Sequence, residues 1–165
     1  MKDHVKKLTT ASVFAAVIFL AVWLIKIPLP NGYAHAGDAI VFSLILFLPL
    51  GYGCAAAAIG AAIADIASGY AIYAPFTFII KPLCLIIFAL FKKSKSHIVK
   101  YALPALLAAA ANAALYFAAD GMLYGVPGAL ASLPGNLTQG GVSIILFFVI
   151  NIVSNKYITD KGAKK

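Results

Sequence analysis

The chain has 165 residues, of which 63% are hydrophobic and 11% charged, and it carries a formal net charge of +8. With a mean hydropathy of +0.98, it holds more apolar surface than one small domain buries in its own core. That excludes an ordinary water-soluble domain and makes lipid the solvent for much of the chain. All 13 basic residues are lysines, and the acids are only Asp3, Asp38, Asp65, Asp120 and Asp160. The lysines sit in short flanks between apolar runs, a placement that argues against nucleic acid. It favours an orientation signal together with anionic lipid or a protein partner.

In chain order, six transmembrane helices are expected in a single all-α membrane domain covering 1–165. The first, over 8–27, has about the 20 residues a span needs. No small-residue cleavage site follows it, so it reads as a span and not as a cleaved signal. Pro28 and Pro30 should end it. The second helix is expected over 38–49, short for a full span. The third covers 52–68 and stops at Gly69. The fourth covers 75–91, with proline at its start. "KKSKSH" should form a polar turn before the fifth helix, 98–120. A Gly/Pro-rich stretch, "GMLYGVPGALASLPG", reads as a loop before the sixth, 136–157.

Lysine placement orients this plan. Lys2, Lys6 and Lys7 precede the first helix. Lys92, Lys93, Lys95 and Lys100 surround the fourth turn, and Lys156, Lys161, Lys164 and Lys165 follow the last helix. Six passes put all three clusters on one side, which the positive-inside rule makes cytoplasmic, with both termini there.

The remaining polar residues gather toward the other side. At about 1.5 Å per residue, Lys81 lies about 9 Å, Asp65 about 5 Å and Asn112 about 12 Å below the outer ends of their helices. Tyr116 lies one turn above Asn112, Thr77 shares a face with Lys81, and Gln139 shares one with Ser143. Asn151 is the main polar residue of the cytoplasmic half. Charges at that depth usually face a bundle interior or cavity. An outward-facing polar pocket is therefore expected, roofed by "PNGYAHAGDAI", "GYAIYA" and the 121–135 stretch. Tyr33, Tyr70, Tyr73 and Tyr124 are available to stack on a flat ligand.

Plainer roles compete with each assignment. Asp38 suits a helix N-cap, Asn136 with Gln139 a capping box, and Asp65 with Lys81 a structural ion pair. Lys81 alternatively snorkels outward, and the tyrosines suit an interface belt. His35 alternatively dangles at the interface, and Asn112 bonds a neighbouring helix. Ala56, Gly60 and Ala64 recur at every fourth position, as do Ala11 and Ala15, a spacing that permits close helix packing. Cys54 and Cys84 read as small buried residues. The sequence contains no phosphate loop, no nucleophile elbow, no metal-binding helix and no histidine cluster. A small intramembrane enzyme, the main alternative of another class, therefore lacks its acid, base and nucleophile. A channel would need polarity through the full depth.

The stretch "IPLPNGYAHAGDAIVFSLILFLPLGYGCAAAAIGAAIADIASGYAIYAPFTFIIKPL" resembles the substrate-binding S components of energy-coupling factor (ECF) vitamin transporters. It is most similar to the riboflavin-transporter-like group, which includes hydroxymethylpyrimidine and pyridoxine transporters. The resemblance rests on Gly37–Asp38, Asp65, Gly69–Tyr70, Pro75 with Thr77, and Lys81. It implies a bacterial plasma-membrane subunit that binds a vitamin outside. The subunit then topples within a complex of a transmembrane coupling protein (the T component) and two ATP-binding-cassette ATPases. It implies no cofactor and no chemistry on the cargo. Ala11 and Ala15 match the family's Ala-x-x-x-Ala, which contacts the coupling protein. On this reading His35, Tyr73, Thr77, Lys81, Asn112, Tyr116, Asn136 and Gln139 bind the cargo, and Asp38 and Asp65 are structural. The polar groups suit a single-ring heterocycle, with riboflavin as the alternative cargo.

Overall fold

A computed structural model of the chain describes residues 2–29 and 32–162, with 29, 32 and 157–162 described by backbone alone. Pro30, Lys164 and Lys165 lie outside the described residues, as does the side chain of Lys161.

Helix α1, Lys2–Leu24, begins earlier and ends three residues sooner than the apolar run suggested. Pro28 disfavours helix at the residue before it, and Lys26–Leu29 is extended instead, as β1. It pairs antiparallel with β2, Gly32–His35, in the register Lys26 to His35 and Pro28 to Tyr33. The expected first loop is thus a two-stranded hairpin. Lys26 Nζ donates to Ser68 Oγ at 3.1 Å and lies 5.6 Å from the Tyr33 ring centroid, tying the hairpin to the end of the third helix.

Helix α2, Gly37–Phe47, spans about 16 Å and is too short to cross a bilayer alone. Helix α3, Leu50–Ala67, is nearly all small residues. It packs most extensively against α4 and α1. Ala56, Gly60 and Ala64 are all buried, as their spacing predicts. A Cβ on Gly60 would stand 2.4 Å from the Ala15 carbonyl oxygen, so only glycine permits this backbone approach. A 3₁₀ turn, Ala71–Tyr73, leads into α4, Ala74–Phe91, which starts with Pro75. Cys84 is buried and Cys54 half-buried, and neither forms a disulfide.

A five-residue π turn, Ile98–Ala102, opens the final helical run, α5, Leu103–Gly162. Contrary to expectation, residues 121–135 are helical, and Pro127 and Pro134 lie inside the run. Early-turn proline is compatible with helix when it follows a break, which accounts for Pro127 just after Gly125, at φ 73° and ψ 176°, whereas Pro134 lies deeper in the returning arm. Near Gly140, a Cβ would lie 3.2 Å from Ala109 Cβ, and the Tyr101 and Phe147 ring centroids are 6.4 Å apart. Both pairs are antiparallel about Tyr124–Gly125, so α5 turns back on itself there. Asn136 and Gln139 therefore sit inside the returning arm and form no capping box.

Among the described residues, four stretches are long and apolar enough to cross a membrane: Lys2–Leu24, Leu50–Ala67, Ala71–Phe91 and Ile98–Lys156. The last, at 59 residues, is about 90 Å of helix against a hydrocarbon core of about 30 Å. The core joins Ile18 and Val22 of α1, Phe42 and Leu44 of α2, Leu85 and Phe88 of α4, and Phe147 of α5. Val13, Leu24, Ile63, Leu106 and Ile145 remain exposed, as lipid-facing side chains should be.

Candidate functional site

The site is a chain of buried polar side chains where the first turn of α2 meets α4 and both arms of α5. Lys81 is 0% exposed, and Asp38 and Asn112 are each 1% exposed. Lys81 Nζ lies 2.6 Å from Asp38 Oδ1 and donates to Asn112 Oδ1 at 2.9 Å. Gln139 Nε2 donates to Asp38 Oδ2 at 2.6 Å. Gln139 Oε1 in turn accepts the His35 backbone N–H at 3.1 Å, which joins the hairpin to α5. A lone buried charge would be costly, and here the ammonium and carboxylate neutralise each other.

This corrects two expectations. Asp38 is not an N-cap, because α2 has no side-chain cap and the carboxylate is turned into the bundle. The partner of Lys81 is Asp38, not Asp65. Asp65, at the last turn of α3, reaches the hairpin instead, where its Oδ1 accepts the Tyr33 hydroxyl at 2.6 Å.

An aromatic wall stands beside the ion pair. Lys81 Nζ is 4.8 Å from the Tyr116 ring centroid, and the Tyr116 hydroxyl shares a 2.7 Å hydrogen bond with Thr77 Oγ1. Tyr73 packs 6.4 Å from Tyr116 and 6.3 Å from Tyr124, and its hydroxyl donates to Asp120. The Tyr33 ring packs in tilted contact 5.7 Å from His35 and 5.0 Å from Tyr70. His35, Thr77, Lys81, Asn112, Tyr116 and Gln139 are thus one neighbourhood, with Tyr73 along its edge. Asn136, buried three residues before Gln139, makes none of these bonds. The Asn112 amide nitrogen and the Ser143 hydroxyl are among the buried groups that have no hydrogen-bond partner among the described residues.

The sequence reading missed Asp120, which is 2% exposed, and the Tyr33–Asp65 bond. An acid closing an apolar helix beside a Gly-rich stretch is the signal that would have pointed to Asp120. Ala11 is buried and the Ala15 backbone rests on Gly60, so both lie on the α1–α3 seam, away from the network. No group of three or more His, Cys, Asp or Glu able to hold a metal occurs among the described residues.

Burial lowers the His35 pKa from 6.5 to about 4, with the Lys81 charge acting in the same direction and Asp38 opposing both. The Gly37 N–H donates to His35 Nδ1 at 3.2 Å, which suits the neutral ring. As pH falls, the unfolded chain takes up this proton first. The stability contributed by neutral His35 is present above about pH 6.5 and is lost between there and about pH 4, by up to about 3 kcal/mol. Melting of the purified chain should therefore fall between about pH 7.5 and 4.5, and His35→Gln should flatten that dependence. Equal slopes for both proteins would remove His35 from this role.

Comparison with known proteins fits this arrangement. The profile of the family described as "ECF-type riboflavin transporter, S component" matches residues 2–156. A Pyrococcus woesei protein described as an uncharacterized protein in gap 3′ region is 32% identical over 126 residues, 74% of this chain and 84% of that one. The fold matches a structure reported under "Structure and mechanism of the S component of a bacterial ECF transporter" with a TM-score of 0.78. That match has 18% identity and covers 94% of this chain and 98% of the other. With the profile spanning nearly the whole chain, the protein belongs to the family of ECF-type riboflavin transporter S components, the multi-pass substrate-binding subunits of vitamin transporters.

Proposed function

We propose that this chain captures a small single-ring vitamin or precursor, hydroxymethylpyrimidine- or pyridoxine-like, from outside a bacterial plasma membrane. It releases the cargo inside by toppling with a T component and two ATP-binding-cassette ATPases, which supply the ATP hydrolysis. The observation that carries this reading is the buried Asp38–Lys81–Asn112–Gln139 network with unsatisfied donors at Asn112 and Ser143. A buried donor without a partner costs about 1–3 kcal/mol, and a heterocyclic nitrogen or hydroxyl would remove that cost. The Tyr73, Tyr116 and Tyr33–His35 rings supply flat apolar surface for the ring of the cargo.

With α5 counted as two passes, and with α2 and the Leu48–Pro49 link to α3 together taken as one short inward pass from the hairpin, the chain crosses six times and both termini are cytoplasmic. Lys2, Lys6, Lys7, Lys92, Lys93, Lys95, Lys100 and Lys156 then share the inner side, as the positive-inside rule requires. On this reading the hairpin lies on the outer side and roofs the closed Lys81 network, with Asp38 and Asp65 in structural roles. Of the Ala11–Ala15 pair assigned to the T component, the half-buried Ala15 presents the coupling face, while Ala11 is buried and supports it from within the bundle. Riboflavin is the second reading for cargo, favoured by the description of the matching family.

The purified chain should bind one of pyridoxine, hydroxymethylpyrimidine, riboflavin or thiamine with a dissociation constant on the order of nanomolar, about −12 kcal/mol. Binding of none of the four would remove the proposal, and binding of riboflavin alone would select the second reading.

A further inference from the structure

A cavity of about 270 Å³ lies at the end of the bundle opposite the Lys81 network. Its floor is Ile45, Leu46 and Phe88. Its rim carries Lys92, Lys100, Tyr101, Ser154 and Asn155. Lys100 and Tyr101 are presented by the π turn, an irregularity found frequently at functional sites. Lys100 Nζ stands 5.1 Å from the Tyr101 ring centroid. Asn155 donates to Asn151 Oδ1 at 3.1 Å. Asn151 is 1% exposed, and its amide nitrogen makes no hydrogen bond among the described residues.

We infer that this cavity binds the phosphate headgroup of an anionic phospholipid. Two ammonium groups and a hydroxyl surround an apolar floor, which matches a phosphodiester joined to hydrocarbon. Among ligand pockets this one is small, enough for a headgroup and the start of a chain. Leu90 and Ile98, each two residues along the chain from a cavity lysine, are 74% and 71% exposed, so apolar surface able to meet hydrocarbon occurs at the same level of the bundle as the lysines. That favours a lipid over a soluble phosphate. Each lysine near an anionic surface is worth enough for a few-fold preference, and two of them give about tenfold or more.

The test uses the full chain in detergent, titrated with short-chain phosphatidylglycerol, phosphatidylcholine and inorganic phosphate, with adducts counted by native mass spectrometry. Wild type should prefer phosphatidylglycerol by about tenfold. The double variant Lys92→Gln/Lys100→Gln should lose that preference, while Lys93→Gln/Lys95→Gln keeps it. Ser154→Phe, which fills the cavity without changing charge, should lose it as well. An equal loss in the Lys93/Lys95 control would overturn the site in favour of diffuse charge. No preference in wild type would also overturn it, and displacement of the lipid by inorganic phosphate alone would make it a soluble-anion site.

Discussion

Lys81→Met is expected to destabilise the purified chain by about 3–5 kcal/mol, the usual cost of breaking a buried ion pair from one side. The substitution keeps the stem of the side chain but leaves the Asp38 carboxylate charged, 1% exposed and without its ion-pair partner, still hydrogen-bonded to the Gln139 amide. It also removes the 2.9 Å hydrogen bond to Asn112. Asp38→Leu/Lys81→Met should recover most of that loss, because neither charge is then stranded. The remaining deficit is the unpaired Gln139 amide, about 1–3 kcal/mol. Both proteins should fail to bind cargo. Denaturant unfolding in detergent reads the stabilities. A single variant as stable as wild type would mean that the pair does not hold α2 to α4.

Ala15→Trp is expected to abolish uptake in cells that carry the partner subunits. The purified variant should still bind cargo within about threefold, less than 1 kcal/mol. Ala15 belongs to the α1–α3 seam, where its carbonyl oxygen faces Gly60, yet its own side chain is only half-buried. An indole there reaches outward, into the surface assigned to the T component. Gly60→Leu provides the contrast. Its side chain would meet the α1 backbone, and overpacking of that kind costs about 1–3 kcal/mol, occasionally more. That variant should lose stability and, with it, both binding and uptake. If Ala15→Trp also lost binding, the alanine pair would belong to internal packing alone.

Much of the bundle was legible because lipid-facing helices declare themselves by apolar length. The ends of α3 and α4 fall within two residues of expectation, since small residues and Pro75 mark them. The hairpin was not legible. Lys26–Leu29 is apolar enough to continue a span, and only its antiparallel pairing with Gly32–His35 makes it a strand. Residues 121–135 failed for the opposite reason. Their glycines and prolines resemble a loop, but a single left-handed residue, Gly125, absorbs the whole reversal.

At the site, depth correctly gathered Lys81, Asn112, Tyr116, Thr77 and Gln139, because buried polar groups must find one another. Their pairing was not readable. Spacing along a helix does not say which of two carboxylates, Asp38 or Asp65, faces a given lysine. The packing of the first turn of α2 against α4, and of the hairpin against α3, decides that.

The most direct test is equilibrium binding of the four-vitamin panel to wild type and to Asn112→Leu, which removes the unsatisfied buried amide nitrogen. One vitamin should bind wild type at about nanomolar concentration and bind the variant about a hundredfold more weakly, a change of about 2.7 kcal/mol. Equal affinity for wild type and variant, or no affinity for any of the four, would contradict a ligand seated on this network.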